Sequence, residues 1–135
     1  IEKLLKNYVL GHNIDAIFVD IHAEATSEKL AMGYYLDGRV TVVAGTHTHV
    51  PTSDYRLLRH GTAYITDVGM CGDFESVLGF EPQAPMDRLA EKLTVQNRLT
   101  PANGKEITLW GILIETASDG LCANITQIKE TFPND

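Results

Sequence analysis

A chain of 135 residues, 44% hydrophobic and 21% charged, has the composition of an ordinary globular domain, and residues 1–135 are read as one domain. No apolar run approaches the roughly 20 residues that span a bilayer, and no secretory leader is visible, so a cytoplasmic protein with no membrane partner is expected. The formal net charge of −7 argues against an extended nucleic-acid-binding face but leaves room for a small phosphorylated substrate beside bound cations.

Residues 1–10 place Ile1, Leu4, Leu5, Tyr8 and Val9 on one helical face, with Gly11 as the stop. Residues 14–20 form a short apolar run typical of a buried strand. Thr26 or Ser27 caps a second helix running to about Leu36, with Leu30, Ala31, Tyr34 and Tyr35 as its packed face. Asp37-Gly38 reads as a turn, and residues 39–44 as a second, β-branched strand. A third strand is expected over 62–68, and a helix over about 85–93 with Pro85 near its start. Two longer strands, roughly 105–117 and 121–129, flank the tight turn Ser118-Asp119-Gly120. The fold class is α/β, with a mixed sheet and a late β-hairpin. Cys71 and Cys122 form no Cys-x-x-Cys motif and read as free thiols.

The local signal for chemistry is Gly45-Thr46-His47-Thr48-His49. Residues two apart in an extended segment point the same way, so two imidazoles spaced as His-x-His can converge on one metal or splay to two. Gly45 lets the chain turn sharply as it leaves the strand. His22 follows a different predicted strand; if the two strands are parallel neighbours, His22, His47 and His49 share one sheet edge. Neutral imidazole suits several transition metals, so the metal is not fixed by the ligands alone. Glu24 and Asp67 lie near the same edge and read either as acceptors that orient a ligand imidazole or as surface or capping carboxylates. Thr46 and Thr48 can donate to a ligand oxygen or tether the loop. His12 and His60 read as solvated turn residues.

Val19-Asp20-Ile21-His22-Ala23-Glu24-Ala25-Thr26-Ser27-Glu28-Lys29 resembles a segment of the YmdB-like bacterial metallophosphoesterases, in the calcineurin-like superfamily. The stretches Tyr35 to Val40, Gly45 to Val50 and Gly61 to Met70 agree as well, so the resemblance covers about residues 14–90. It implies part of an αββα sandwich with two divalent metal ions (Fe, Mn or Zn) at the carboxyl ends of the strands. It also implies hydrolysis of phosphodiester bonds, with 2′,3′-cyclic nucleotides as substrates. On this resemblance His22 and His47 bind one metal and His49 the other. The family's remaining ligands (an Asp, a Glu and Asn residues) and a general-acid His come from an amino-terminal half, and no segment here corresponds to it.

The chain therefore resembles the carboxyl-terminal half of such a domain. It begins at Ile1 and not at a methionine, which fits a processed product or a piece of a longer protein. An alternative is a catalytically inactive fragment or regulatory module that keeps the fold without the acidic ligands. Half a sandwich leaves an edge and an apolar face uncovered, so a homo-oligomer, or a partner supplying the missing half, is expected.

Overall fold

The computed structural model describes residues 1–90 and 98–134. In chain order its elements are α1 (Glu2–Leu5), β1 (Phe18–His22), α2 (Thr26–Leu36), β2 (Val42–Thr46), β3 (Arg56–Leu57), β4 (Ala63–Ile65), α3 (Gln83–Leu89), β5 (Glu106–Thr116) and β6 (Cys122–Pro133). Contacts gather them into two compact units, Ile1–Gly69 with Gly111–Ile128, and Met70–Trp110 with Lys129–Asp135.

The first unit is layered. Its sheet has the order β1-β2-β4-β3, parallel except for β3, which runs antiparallel to β4. Side chains alternate across the sheet. Val42, Ala44, Ala63 and Ile65 face one way and pack on Cys122, Ile125, Ile112 and Ile114 of the antiparallel β5–β6 hairpin. Val43 and Tyr64 face the other way, among Leu30, Met32 and Leu36 of α2. The result is helix on sheet on sheet, the mixed α/β arrangement expected.

In the second unit Gly72 bridges Thr108 in antiparallel fashion, and the Trp110 ring lies 6.3 Å from Phe74, with the Lys129 ammonium 5.4 Å from its centroid. The expected helix over 85–93 is α3, and its last expected residues, 91–93, lie outside the described residues.

Several local expectations differ from the structure; among them, α2 is capped at Ala25 with no side-chain cap bond, not by Thr26 or Ser27, and the third strand is confined to Ala63–Ile65. The first helix stops after four residues. The Asn13 side chain accepts from the Val9 N–H at 2.7 Å and donates to the Asn7 carbonyl at 2.9 Å, closing a turn where helix would continue. The packed face of α2 is Lys29, Gly33 and Leu36, not Tyr34 and Tyr35, which are exposed. Gly33 decides this, because a Cβ there would stand 2.6 Å from the Tyr64 ring; the helix lies so close to β4 that any larger residue would have to displace that ring. The strands β1 and β2 also end two residues later than read from sequence, so His22 and Thr46 close their strands instead of following them. The free thiols divide, with Cys71 exposed and Cys122 buried. Burial pushes the Cys122 thiol pKa up, against a smaller opposing contribution from its hydrogen bond to Asn124. No helix among the described residues is long and apolar enough to cross a membrane.

Candidate functional site

The parallel register of β1 and β2 aligns His22 with Thr46. That register puts two chain segments, separated by a helix in sequence, at the same carboxyl edge of the sheet. The loop leaving β2 then turns back through two unusual residues: His47 has φ of 131° and His49 φ of 65°. Non-glycine residues at positive φ are uncommon and persist only where their surroundings over-determine them.

This course brings the His47 Nδ1 within 3.2 Å of the His22 Nε2, with the rings 5.1 Å apart and nearly perpendicular. The other nitrogen of His22 is also engaged. Thr46 Oγ1 donates its proton to Asp20 Oδ1 at 2.9 Å, so Thr46 Oγ1 in turn accepts from His22 Nδ1–H at 3.1 Å. Asp20, Thr46 and His22 thus form a chain that puts the proton on Nδ1 and leaves the Nε2 lone pair facing His47. Both rings are solvent-exposed.

Asp67 lies just past β4 and is 1% exposed. Its Oδ2 accepts from the Thr48 backbone N–H at 2.8 Å and from the Lys29 ammonium at 3.0 Å, and its Oδ1 accepts from the Gly69 N–H at 2.9 Å. Burial alone would raise the Asp67 pKa, but the two backbone donors and Lys29 outweigh it and hold the carboxyl below its ordinary value. Of the two readings of Asp67, the surface or capping carboxylate does not fit its burial; the carboxylate accepts from the backbone between the two loop histidines. Thr48 Oγ1 turns inward on its own loop, donating to the Val50 carbonyl at 3.2 Å. Glu24 is exposed just beyond β1. His60 pairs with Asp37 at 2.9 Å on the surface. Gly45 does not open the turn as expected; it is buried within β2. Among the described residues no set of three or more His, Cys, Asp and Glu side chains is gathered to hold a metal ion; the structure joins His22 and His47 as a pair.

A family model described as YmdB-like protein matches residues 1–128. The chain belongs to the YmdB-like family. It is 54% identical over 119 residues to a 2′,3′-cyclic-nucleotide 2′-phosphodiesterase of Bacillus subtilis (strain 168), covering 88% of this chain and 43% of that protein. Two solved structures share the fold, each with a TM-score of 0.80 over 99% of this chain. One is a hypothetical protein of Thermus thermophilus, 35% identical and covered over 49% of its length. The other is a phosphatase of Mycoplasma pneumoniae, 33% identical and covered over 46%. This YmdB-like chain spans less than half the length of each of these relatives.

Two residues that position the histidine loop escaped the sequence reading as site residues. Asp20 precedes His22 by two positions in a strand, a spacing that places both on one face and could have flagged it. Lys29 shares the i, i+4, i+7 spacing of Gly33 and Leu36, but a lysine on a helix is ordinarily taken as solvated.

Proposed function

We propose that this chain supplies the histidine half of a metal-dependent phosphodiesterase site. In this reading His22 and His47 take one divalent ion, His49 contributes to a second, and 2′,3′-cyclic nucleotides are the substrate class. The observation that carries it is the 3.2 Å between His22 Nε2 and His47 Nδ1. Two imidazole nitrogens sharing one ion at about 2.0–2.1 Å each lie roughly 3.0–3.4 Å apart, so the pair stands at ligand spacing. The Asp20–Thr46–His22 chain supports it further. A ligand imidazole ordinarily gives its other N–H to an acceptor that fixes ring orientation, and Thr46 does this for His22. The name of the Bacillus subtilis relative supports the substrate class.

When bound, iron, manganese or zinc ions lower the pKa of a water and neutralise charge growing on phosphoryl oxygens. The work of this chain is to hold lone pairs at a fixed spacing. Thr46 keeps the His22 ring from turning, and the strand register keeps Thr46 beside it.

Titration with cobalt(II), read by its visible absorption, tests the reading. Wild type is expected to bind, His22→Ala and His47→Ala to lose at least about 100-fold in affinity, and His12→Ala to match wild type. Unchanged binding in His22→Ala would refute the assignment. Assay with bis-p-nitrophenyl phosphate and added manganese addresses the alternative: turnover by this chain alone would exclude the inert module.

We also propose that the chain self-associates or takes a partner along β1. That strand is the sheet edge, Phe18 on it is exposed, and apolar hollows of about 420 and 650 Å³ flank it, lined among others by Leu4, Tyr8 and Phe18 and by Ile21, Met32 and Tyr35. Size-exclusion chromatography at several concentrations should show concentration-dependent association. A compact monomer throughout would count against it.

A further inference from the structure

We infer that the buried Lys29–Asp67 pair is the positioning device of the histidine loop: it holds Thr46 to His49 in the backbone course that carries His47 to His22, and so sets how tightly the two rings take a divalent cation. The part concerning the cation rests on the reading proposed above; the part concerning the loop does not.

Lys29 and Asp67 are 0% and 1% exposed, and their charged atoms meet at 3.0 Å. Replacing such a pair with volume-matched apolar residues is often neutral or stabilising, so stability alone does not account for what it does here. Its specific effect is directional. The carboxylate accepts from Thr48 N, the amide between the two positive-φ histidines, and from Gly69 N on the other side. The Asp67 backbone meanwhile receives the Thr52 N–H at 2.9 Å, and its own N–H donates to Thr52 Oγ1 at 2.9 Å. One residue therefore grips the loop at Thr48 and again at Thr52. Lys29 neutralises the buried carboxylate, and its stem runs against Gly45: a Cβ on that glycine would stand 2.8 Å from Lys29 Cδ. The ammonium thus arrives from α2 directly beneath the residue that precedes Thr46. Neither Lys29 nor Asp67 makes a hydrogen bond to the His22 or His47 ring in this arrangement; both act through the backbone.

The test compares the neutral pair Lys29→Met/Asp67→Leu, which removes the acceptor for Thr48 N, with Val43→Ala. The latter trims a fully buried side chain of β2 and lowers stability without altering the loop's hydrogen bonds. Metal-free NMR reads the loop by the NOE between the His22 and His47 rings and by hydrogen exchange at the Thr48 amide. Cobalt(II) titration reads the consequence. The paired variant is expected to melt cooperatively, lose the ring NOE and the Thr48 protection, and bind cobalt about 10- to 100-fold more weakly. Val43→Ala should keep all three near wild type. If the paired variant keeps the NOE and binds within about twofold of wild type, or if Val43→Ala loses as much, the inference falls. Should the paired variant not fold, Lys29→Met alone serves, because Asp67 keeps its Thr48 and Gly69 donors while the ammonium beneath Gly45 is removed, and the ring NOE and cobalt affinity are expected to fall in the same direction. A wild type that takes no cobalt overturns the cation part together with the functional reading, and the NMR arm alone then decides the positioning of the loop.

Discussion

Gly45→Ala should lower stability by more than about 4 kcal/mol, on the order of 15 °C in melting temperature. A Cβ at this position would stand 1.8 Å from the Thr66 carbonyl oxygen and 2.7 Å from its carbonyl carbon. Those are backbone atoms, so no rotamer change relieves the overlap; β2 and the segment after β4 must separate. Separation also breaks the hydrogen bond from Val68 N to the Gly45 carbonyl, 2.9 Å, and tilts the chain into Thr46. Gly33→Ala is the comparison. Its Cβ would meet the Tyr64 ring at 2.6 Å, and a side chain can yield, so the cost there is about 1–3 kcal/mol. Thermal unfolding followed by circular dichroism ranks the two. A Gly45→Ala protein melting within about 3 °C of wild type would show that the strands are not as close as described.

The same glycine shows where the amino-acid pattern was readable and where it was not. The apolar, β-branched run before it announces a strand, and polar residues after that run announce a site at the strand's end. The strand is there, because strand type follows from local composition, though it ends two residues later than that composition suggests. Gly45 itself was misread as a turn residue because its reason is tertiary, the nearness of Thr66. The convergence of His22 and His47 was legible to the extent that parallel neighbouring strands could be assumed. The chain from Asp20 through Thr46 was not, since it depends on a register that moved both strand ends by two residues. Tyr34 and Tyr35 looked like the buried face of α2 because aromatic residues usually bury more area than glycine or lysine. The close approach of helix and sheet at Gly33 reversed that preference. β3, at two residues, is too short to carry a period, whereas the β5–β6 hairpin declared itself through Asp119-Gly120, whose glycine has φ of 81°.

Lys29 is the residue whose burial could least be foreseen, and removing its partner should give the second large effect. Asp67→Leu leaves an ammonium that is 0% exposed with no carboxylate beside it, and a cost of about 3–5 kcal/mol at neutral pH is expected. Lys29→Met should cost less, because the Asp67 carboxylate keeps its Thr48 and Gly69 N–H donors. The pH dependence separates a charge effect from a packing effect. The folded-state pKa of Asp67 is depressed: burial opposes ionisation, but the hydrogen bonds from Thr48, Gly69 and Lys29 outweigh it. A depressed carboxyl contributes stability above the unfolded-state value of about 3.9, and that contribution is lost as pH falls through the folded value. As pH falls from the unfolded value through the lower folded one, the wild type therefore approaches the state that Asp67→Leu occupies at every pH, a buried ammonium facing no charge. Asp54 is depressed in the same direction, its burial outweighed by hydrogen bonds from Thr66, Thr52 and Arg56, but it is present in both proteins and cancels in their difference. Urea midpoints measured at pH 6 and pH 3 should accordingly converge for wild type and Asp67→Leu. Parallel curves would mean that leucine costs stability through shape alone, and that the charge on Asp67 contributes nothing to the fold.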